Sequence, residues 1–449
     1  MFIPHTDRDR IQMLQAIGLN NLEDLFEAVP EEYRFPGINI PPALTEMEAL
    51  EEAQELAAVN DSTQSLACFL GAGAYHHYIP AAVDAILRRG EFYTAYTPYQ
   101  PEISQGTLQA IYEYQSLITA LTGMEVSNAS HYDGATAAAE AVSLAYANFR
   151  GKRSRVILSP ALHPHTIQTI QTYNAGSSIT LSGYDAPISP SIGPEALYPL
   201  IDANTALVIV PYPDFFGRIF DYTKLAQIVH EAGALLAVAV NPLALGLLTP
   251  PGEFGADIVT GEGQPLGIPL SYGGPYLGIF ATRTAYVRKM AGRLVGETLD
   301  NRGQRAYVLT LTAREQHIRR EKATSNICTN QGLIALASAV YMSLLGKHGL
   351  RQVAELCYHK AHYAAQQLST IPGYSLWSGQ PFFNEFVLHC PEPVGAVNEH
   401  LLEHGILGGY DLGREHPSLA NHMLVAVTEM NTRQEIDYLV EILSEASHD

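Results

Sequence analysis

Lysine is scarce in this chain of 449 residues: Lys152, Lys224, Lys289, Lys322, Lys347 and Lys360 are all there are. The 26 basic residues face 46 acidic ones, so the formal net charge is −20. The charged fraction is 16%, below the roughly 25% usual for soluble domains. An acidic balance without clustered Lys/Arg excludes nucleic-acid binding and docking on anionic membrane surfaces. The four cysteines, Cys68, Cys328, Cys357 and Cys390, are far apart and form no C-x-x-C pair. They make neither a zinc motif nor a disulfide framework, and a reducing compartment is expected. Long hydrophobic runs are also missing. The longest, Ala234 to Leu248, is broken by Asn241 and Pro242 and falls short of the roughly 20 residues a membrane span needs. The stretch from Met1 to Arg10 carries acids and no apolar core, so no signal or transit peptide is expected. At 47% hydrophobic the chain can bury a large core. A soluble, cytoplasmic protein is the expectation.

Three regions are read along the chain. Residues 1–64 read as a helical arm punctuated by Pro30, Pro36, Pro41 and Pro42, with Ile11, Leu14 and Ile17 spaced for one helix face. Such a segment makes a poor core of its own and is expected to pack on the main body or on a neighbour. Residues 65–330 alternate strand and helix. Val156–Leu158, Ser178–Leu181, Ala206–Val210 and Leu235–Val240 read as strands, with helices at 166–173 and from about Asp221. Their continuous apolar runs mark strands buried on both faces of a parallel sheet. A large α/β domain follows. Residues 331–449 read as a smaller α+β domain: a helix at 332–345, strands at 385–388 and 422–427, and a closing amphipathic helix at 433–444.

Gly71-Ala72-Gly73-Ala74 lacks the third glycine and the downstream acid of a dinucleotide fingerprint and reads as a turn. His76-His77 and His163-Pro164-His165 are the tight histidine groups. Adjacent strand residues point to opposite sides, and no metal site is expected. Asp133 precedes an alanine-rich helix and reads as its cap. The same helix start, with Gly134 and Thr136, suits a phosphate cradle. Tyr93 to Gly106 packs aromatics, prolines and amides without helix or strand periodicity, the composition of a rigid surface loop or of a binding wall.

Gly255-Ala256-Asp257-Ile258-Val259-Thr260-Gly261-Glu262-Gly263-Gln264 resembles the segment of fold-type I pyridoxal-phosphate (PLP) enzymes in which a strand leads to the Schiff-base lysine. Gln264 stands at that position, and an amide nitrogen forms no imine. The preceding strand of such enzymes ends in an aspartate that pairs with the pyridine nitrogen. Here Ala239, Val240 and Asn241 stand there. Lys322, in a charged helix followed by a polar turn, is the lysine left for an independent PLP aminotransferase or lyase.

Four motifs carry a closer resemblance: Tyr96-Thr97-Pro98-Tyr99-Gln100-Pro101-Glu102-Ile103-Ser104-Gln105-Gly106; Asn128 to Thr136; Tyr272-Gly273-Gly274-Pro275; and Arg319 to Thr329. Together they resemble the P-protein of the glycine cleavage system, in its N-terminal half, which in many bacteria is a separate alpha subunit (subunit 1). The likeness runs over essentially the whole chain. It implies a fold-type I large domain with a small C-terminal domain, in an α2β2 heterotetramer whose beta subunit (subunit 2) carries the lysine and binds PLP covalently. The implied reaction is decarboxylation of glycine, with transfer of the aminomethyl group to the lipoyl arm of H-protein. This chain is then expected to be inactive alone and to hold no covalent cofactor. It is expected to lend Tyr96, Thr97, Tyr99, Gln100, Glu102, Ser104 and Gln105 to the wall of the partner's site. Asp133, Gly134, Thr136, Asn241 and Gln264 would remain as a vestigial cofactor site. A subunit whose loop touches no substrate is the non-catalytic alternative.

Overall fold

The computed structural model describes residues 4–34, 37 and 39–446. The chain divides into two compact units, Met1–Asp61 and Ser62–Asp449. In the first, helices α1 (Asp7–Ala16) and α2 (Glu46–Ala58) each open with a reciprocal cap. The Thr6 hydroxyl accepts the Asp9 N–H while the Asp9 carboxylate accepts the Thr6 N–H, and Thr45 and Glu48 repeat the exchange. The apolar residues Ile11, Ile17, Leu22, Leu25 and Phe26 are exposed.

The second unit begins with strand β1 (Ala67–Cys68). Its central sheet comprises β2 (Val126–Ser127), β3 (Arg155–Leu158), β4 (Thr180–Ser182), β5 (Thr205–Tyr212), β6 (Leu235–Val240), β7 (Ile258–Glu262) and β8 (Gly278–Thr282), in the order β2-β8-β7-β6-β5-β3-β4. Pairing from β4 through β3, β5 and β6 to β7 is parallel, and β8 is antiparallel to both β7 and β2. The strand read from Ser178 starts at Thr180, because Ser177 Oγ accepts the Ile179 N–H and holds a turn there. The apolar runs are continuous for a visible reason. Val208, Val210, Leu236 and Val238 face one core, and Leu207, Ile209, Leu235 and Ala237 face the other. Helices α3 (Gln105–Thr122) and α6 (Thr223–Glu231) cover the first face, and α4 (Gly134–Asn148) covers the second together with α5 (Pro164–Asn174). A hairpin of β9 (Val295–Leu299) and β10 (Arg305–Leu309) lies against α3.

Helix α7 (Gly332–Leu368) extends past the expected stop at Leu345. Gly346 adopts φ 58°, a left-handed conformation glycine tolerates, and breaks the helix without ending it. By length and composition α7 could cross a membrane. Its buried residues, however, are shared between two protein cores: Ala335, Tyr341 and Met342 in the central one, Ala361, Ala365 and Leu368 in a C-terminal one. That second core lies under the antiparallel sheet β11-β12-β15-β14, formed by β11 (Ser375–Leu376), β12 (Glu385–His389), β14 (Tyr410–Asp411) and β15 (His422–Ala426). Helices α8 (Val394–Glu403) and α9 (Arg433–Ala446) complete it with Val397, Leu401, Ile436 and Leu439. Strand β1 pairs in parallel with β13 (Ile406–Leu407), and Phe69 joins this core. Residues 67–69 therefore lie with the C-terminal sheet, not with the α/β sheet that follows them.

Candidate functional site

Ligands of open α/β sheets bind beyond the carboxyl ends of the parallel strands. Here the ends of β5, β6 and β7 and the start of α4 open on a cavity of about 660 Å³. Asp133, Gly134 and Asn241 line it; Thr136 and Gln264 do not. Asp133 is the α4 cap: its Oδ1 accepts the Thr136 N–H at 2.7 Å, and Thr136 Oγ1 accepts the Asp133 N–H at 3.1 Å. Asn241 Oδ1 accepts the Leu243 N–H at 3.1 Å, turning the chain after β6. Gln264 is buried, and its amide is fully engaged. Oε1 accepts the Tyr75 N–H at 2.9 Å, and Nε2 donates to the Tyr75 carbonyl at 2.9 Å and to that of Ile268 at 2.8 Å. The glutamine clamps the backbone before α3 to the turn after β7.

Three carboxylates that the sequence reading left aside surround the cavity. Glu262 Oε2 accepts the Gly134 N–H at 2.9 Å, while Oε1 accepts those of Gln264 and Leu277 at 3.0 Å each. Burial pushes its carboxyl up to about 7. Glu385 accepts from the Tyr75 hydroxyl and the Ala72 N–H, both at 2.7 Å, and burial raises it to about 7 as well. Asp214 pairs with Arg218 at 2.8 Å. His163 is occupied too: its Nε2 lies 2.8 Å from the Ala72 carbonyl, and its Nδ1 accepts the His165 N–H. This fixes the turn at Gly71–Ala74, where Ala72 takes φ 57°. Glu262 stands two residues before Gln264, so the sequence carried a signal for it; Glu385, Asp214 and His163 become visible only once the fold brings them together.

These residues do not fit a covalently held PLP. No lysine lines the cavity, Ala239, Val240 and Asn241 around the end of β6 offer no acid, and the Gly134 N–H at the start of α4 is already taken. Lys322 is exposed on a short turn, Arg320–Lys322, outside the cavity. Elsewhere, His77 Nδ1 and Cys357 Sγ lie 2.7 and 3.3 Å from Glu429 Oε2, the one cluster of three metal-capable groups among the described residues. Each of these atoms already has a partner within the cluster.

The Tyr96–Gly106 stretch forms a loop leading into α3. Tyr96, Tyr99, Gln100 and Glu102 are exposed, Tyr96 at 83%, while Thr97, Ser104 and Gln105 are partly buried. Gln105 has no free amide group. Its Oε1 accepts the Tyr307 N–H, and its Nε2 donates to the carbonyls of Tyr307 and Pro101. It pins the loop to β10. Arg293 holds the other side. Its Nη1 donates to Thr97 Oγ1 at 3.5 Å and to Asn330 Oδ1 at 3.3 Å, and its guanidinium lies 5.7 Å from the centre of the Tyr99 ring. Nothing in the sequence marked this arginine. The Tyr272–Pro275 loop reaches the cavity mouth through Gly273 and Pro275, with Tyr272 itself 93% exposed.

A mostly parallel sheet covered on both faces, a C-terminal α+β layer and a cavity at the strand ends define the fold-type I class of PLP-dependent enzymes. The sphingosine-1-phosphate lyase of Burkholderia pseudomallei shares this fold, with TM-score 0.65 at 18% identity over 94% of this chain and 95% of its own. The family model of the glycine cleavage system P-protein matches residues 1–443, and the chain belongs to that family. It is 55% identical over 447 residues to a probable glycine dehydrogenase (decarboxylating) subunit 1 of Thermomicrobium roseum, with 100% of each chain covered. It is also similar to the crystal structure of a glycine decarboxylase (P-protein) of the glycine cleavage system in inhibitor-bound form, with TM-score 0.88 and 42% identity over 99% of both chains.

Proposed function

We propose that this chain is the subunit of glycine dehydrogenase (decarboxylating), an oxidoreductase of glycine cleavage, that lacks the Schiff-base lysine. Glycine loses CO2 in the assembled enzyme, and the aminomethyl group passes to a sulfur of the lipoyl disulfide of H-protein. The PLP belongs to a second, lysine-bearing subunit, and the two form an α2β2 heterotetramer in the cytoplasm. This chain completes the partner's site with the Tyr96–Gly106 loop. Tyr96, Tyr99, Gln100 and Glu102 face outward in that role. Gln105, Arg293 and Thr97 hold the loop's shape, and Ser104 starts the helix behind it. Asp133, Gly134, Thr136, Asn241 and Gln264 are the remnant of a cofactor site that no longer holds one.

The observation that carries this reading is Gln264. It follows β7 by two residues, with every amide hydrogen bond spent on Tyr75 and Ile268, behind a cavity that no lysine lines. The exposed apolar residues of the arm and the aromatic loop supply the surface that such an assembly covers. Glycine–bicarbonate exchange tests it: activity is expected when this chain is co-expressed with the lysine-bearing subunit, and none from either alone. A stoichiometric, borohydride-reducible PLP adduct on this chain alone would overturn it.

A further inference from the structure

We propose that the carboxyl groups of Glu262 and Asp133 fill the end of the cavity at the start of α4 and take up its N–H donors, so that this chain excludes phosphate-bearing cofactors by occupation as well as by lacking a lysine. Helix α4 is 15 residues long, and its free N-terminal N–H groups and dipole favour an anion. Asp133, as an ordinary cap, takes the Thr136 N–H and would leave the Gly134 N–H for a ligand. Glu262 takes that one too, although it comes from a different strand and capping does not require it.

Its other oxygen collects the N–H groups of Gln264 and Leu277. Three donors from three separate segments, the first turn of α4, the turn after β7 and the residue before β8, thus converge on one carboxylate. That is the donor set a bound oxyanion recruits. The segments are pressed together around it: a Cβ on Gly134 would stand 2.8 Å from the Glu262 nitrogen. None of the ion pairs among the described residues includes Glu262. Its electrostatic partner is the helix end itself. The inference stands on this cavity alone and holds whether or not the glycine reading does.

Inorganic phosphate is the probe, with chloride at matched ionic strength as reference, on the full chain. The wild type is expected to show no phosphate-specific rise in Tm, whereas a variant with an opened site gains one by mass action. The Glu262→Ala/Asp133→Ser double variant is expected to bind phosphate roughly tenfold or more tightly than the wild type by calorimetry, with Glu262→Ala in between. Should the alanine variants fail to fold, the shorter but still polar Glu262→Ser carries the test and must gain a phosphate-specific rise in Tm. Saturable binding of phosphate by the wild type as tight as by the double variant, or no gain in any folded variant, would overturn the proposal.

Discussion

Arg293 joins segments that lie far apart in the chain. It is 5% exposed, takes no part in the ion pairs among the described residues, and connects the aromatic loop through Thr97 to the turn before α7 through Asn330. A buried guanidinium held by two long hydrogen bonds is helped by the ring of Tyr99, 5.7 Å away, which offers its face to the charge. Arg293→Gln is expected to loosen the loop. Limited proteolysis within residues 93–104 should quicken, and glycine turnover of the assembled enzyme should fall by roughly tenfold. Unchanged cleavage and turnover would remove it from this role. Tyr99→Ala should lower turnover while leaving the assembled enzyme intact by size-exclusion chromatography; loss of assembly instead would make the tyrosine mere interface.

Glu385 gives a pH dependence with a definite sign. Its carboxyl is raised from an ordinary value near 4.5 to about 7 by burial, with Asp214 adding to the rise and the Tyr75 and Ala72 hydrogen bonds opposing it. The folded state holds that proton more tightly than the unfolded chain. Its contribution is therefore full below about pH 4.5 and is lost as pH climbs to about 7. Glu385→Gln removes the titration. The stability difference between Glu385→Gln and wild type should shift in the variant's favour by up to about 3 kcal/mol between pH 5 and pH 8, read from urea midpoints. A pH-independent difference would contradict this origin.

Among the elements, the parallel strands were the most legible. Ala206–Val210 and Leu235–Val240 are apolar at every position, a pattern that both-face burial explains and that alternation would have hidden. The Asp133 cap was equally plain, because the side chain acts on its own helix. The break in α7 was not. Gly346 sits in a helix-forming context on both sides, and only tertiary packing into two cores selects φ 58° there. Nothing lies within 4 Å of where a Cβ would stand, so Gly346→Ala is strained by conformation alone and should destabilise by about 1–2 kcal/mol, measured by denaturant unfolding. The amide of Gln105 was likewise opaque: its engagement with Tyr307 spans 202 residues of sequence, which no local pattern reports.

On the scale of the whole molecule, the scarcity of lysine and the exposed aromatics belong to one design. The six lysines of the sequence include none in the cavity, while Tyr96, Tyr99, Ile103 and Tyr272 all stand more than half exposed. The cavity at the strand ends has no lysine in its lining, and exposed aromatic side chains are abundant on loops. The absence of lysine from residues 255–264 can be read from sequence alone. That Glu262 accepts the Gly134 N–H at the start of α4 cannot, since that is a matter of distance.

Helix α7 has a consequence for how the body comes apart. One helix, broken at Gly346, contributes Tyr341 to the central core and Leu368 to the C-terminal one, and β1, from the start of the unit, is paired near its end. Neither half can melt without withdrawing a wall from the other, so residues 62–446 should lose structure cooperatively. Hydrogen exchange should report similar opening free energies for the amides of β6 and β12, despite their sitting in different sheets.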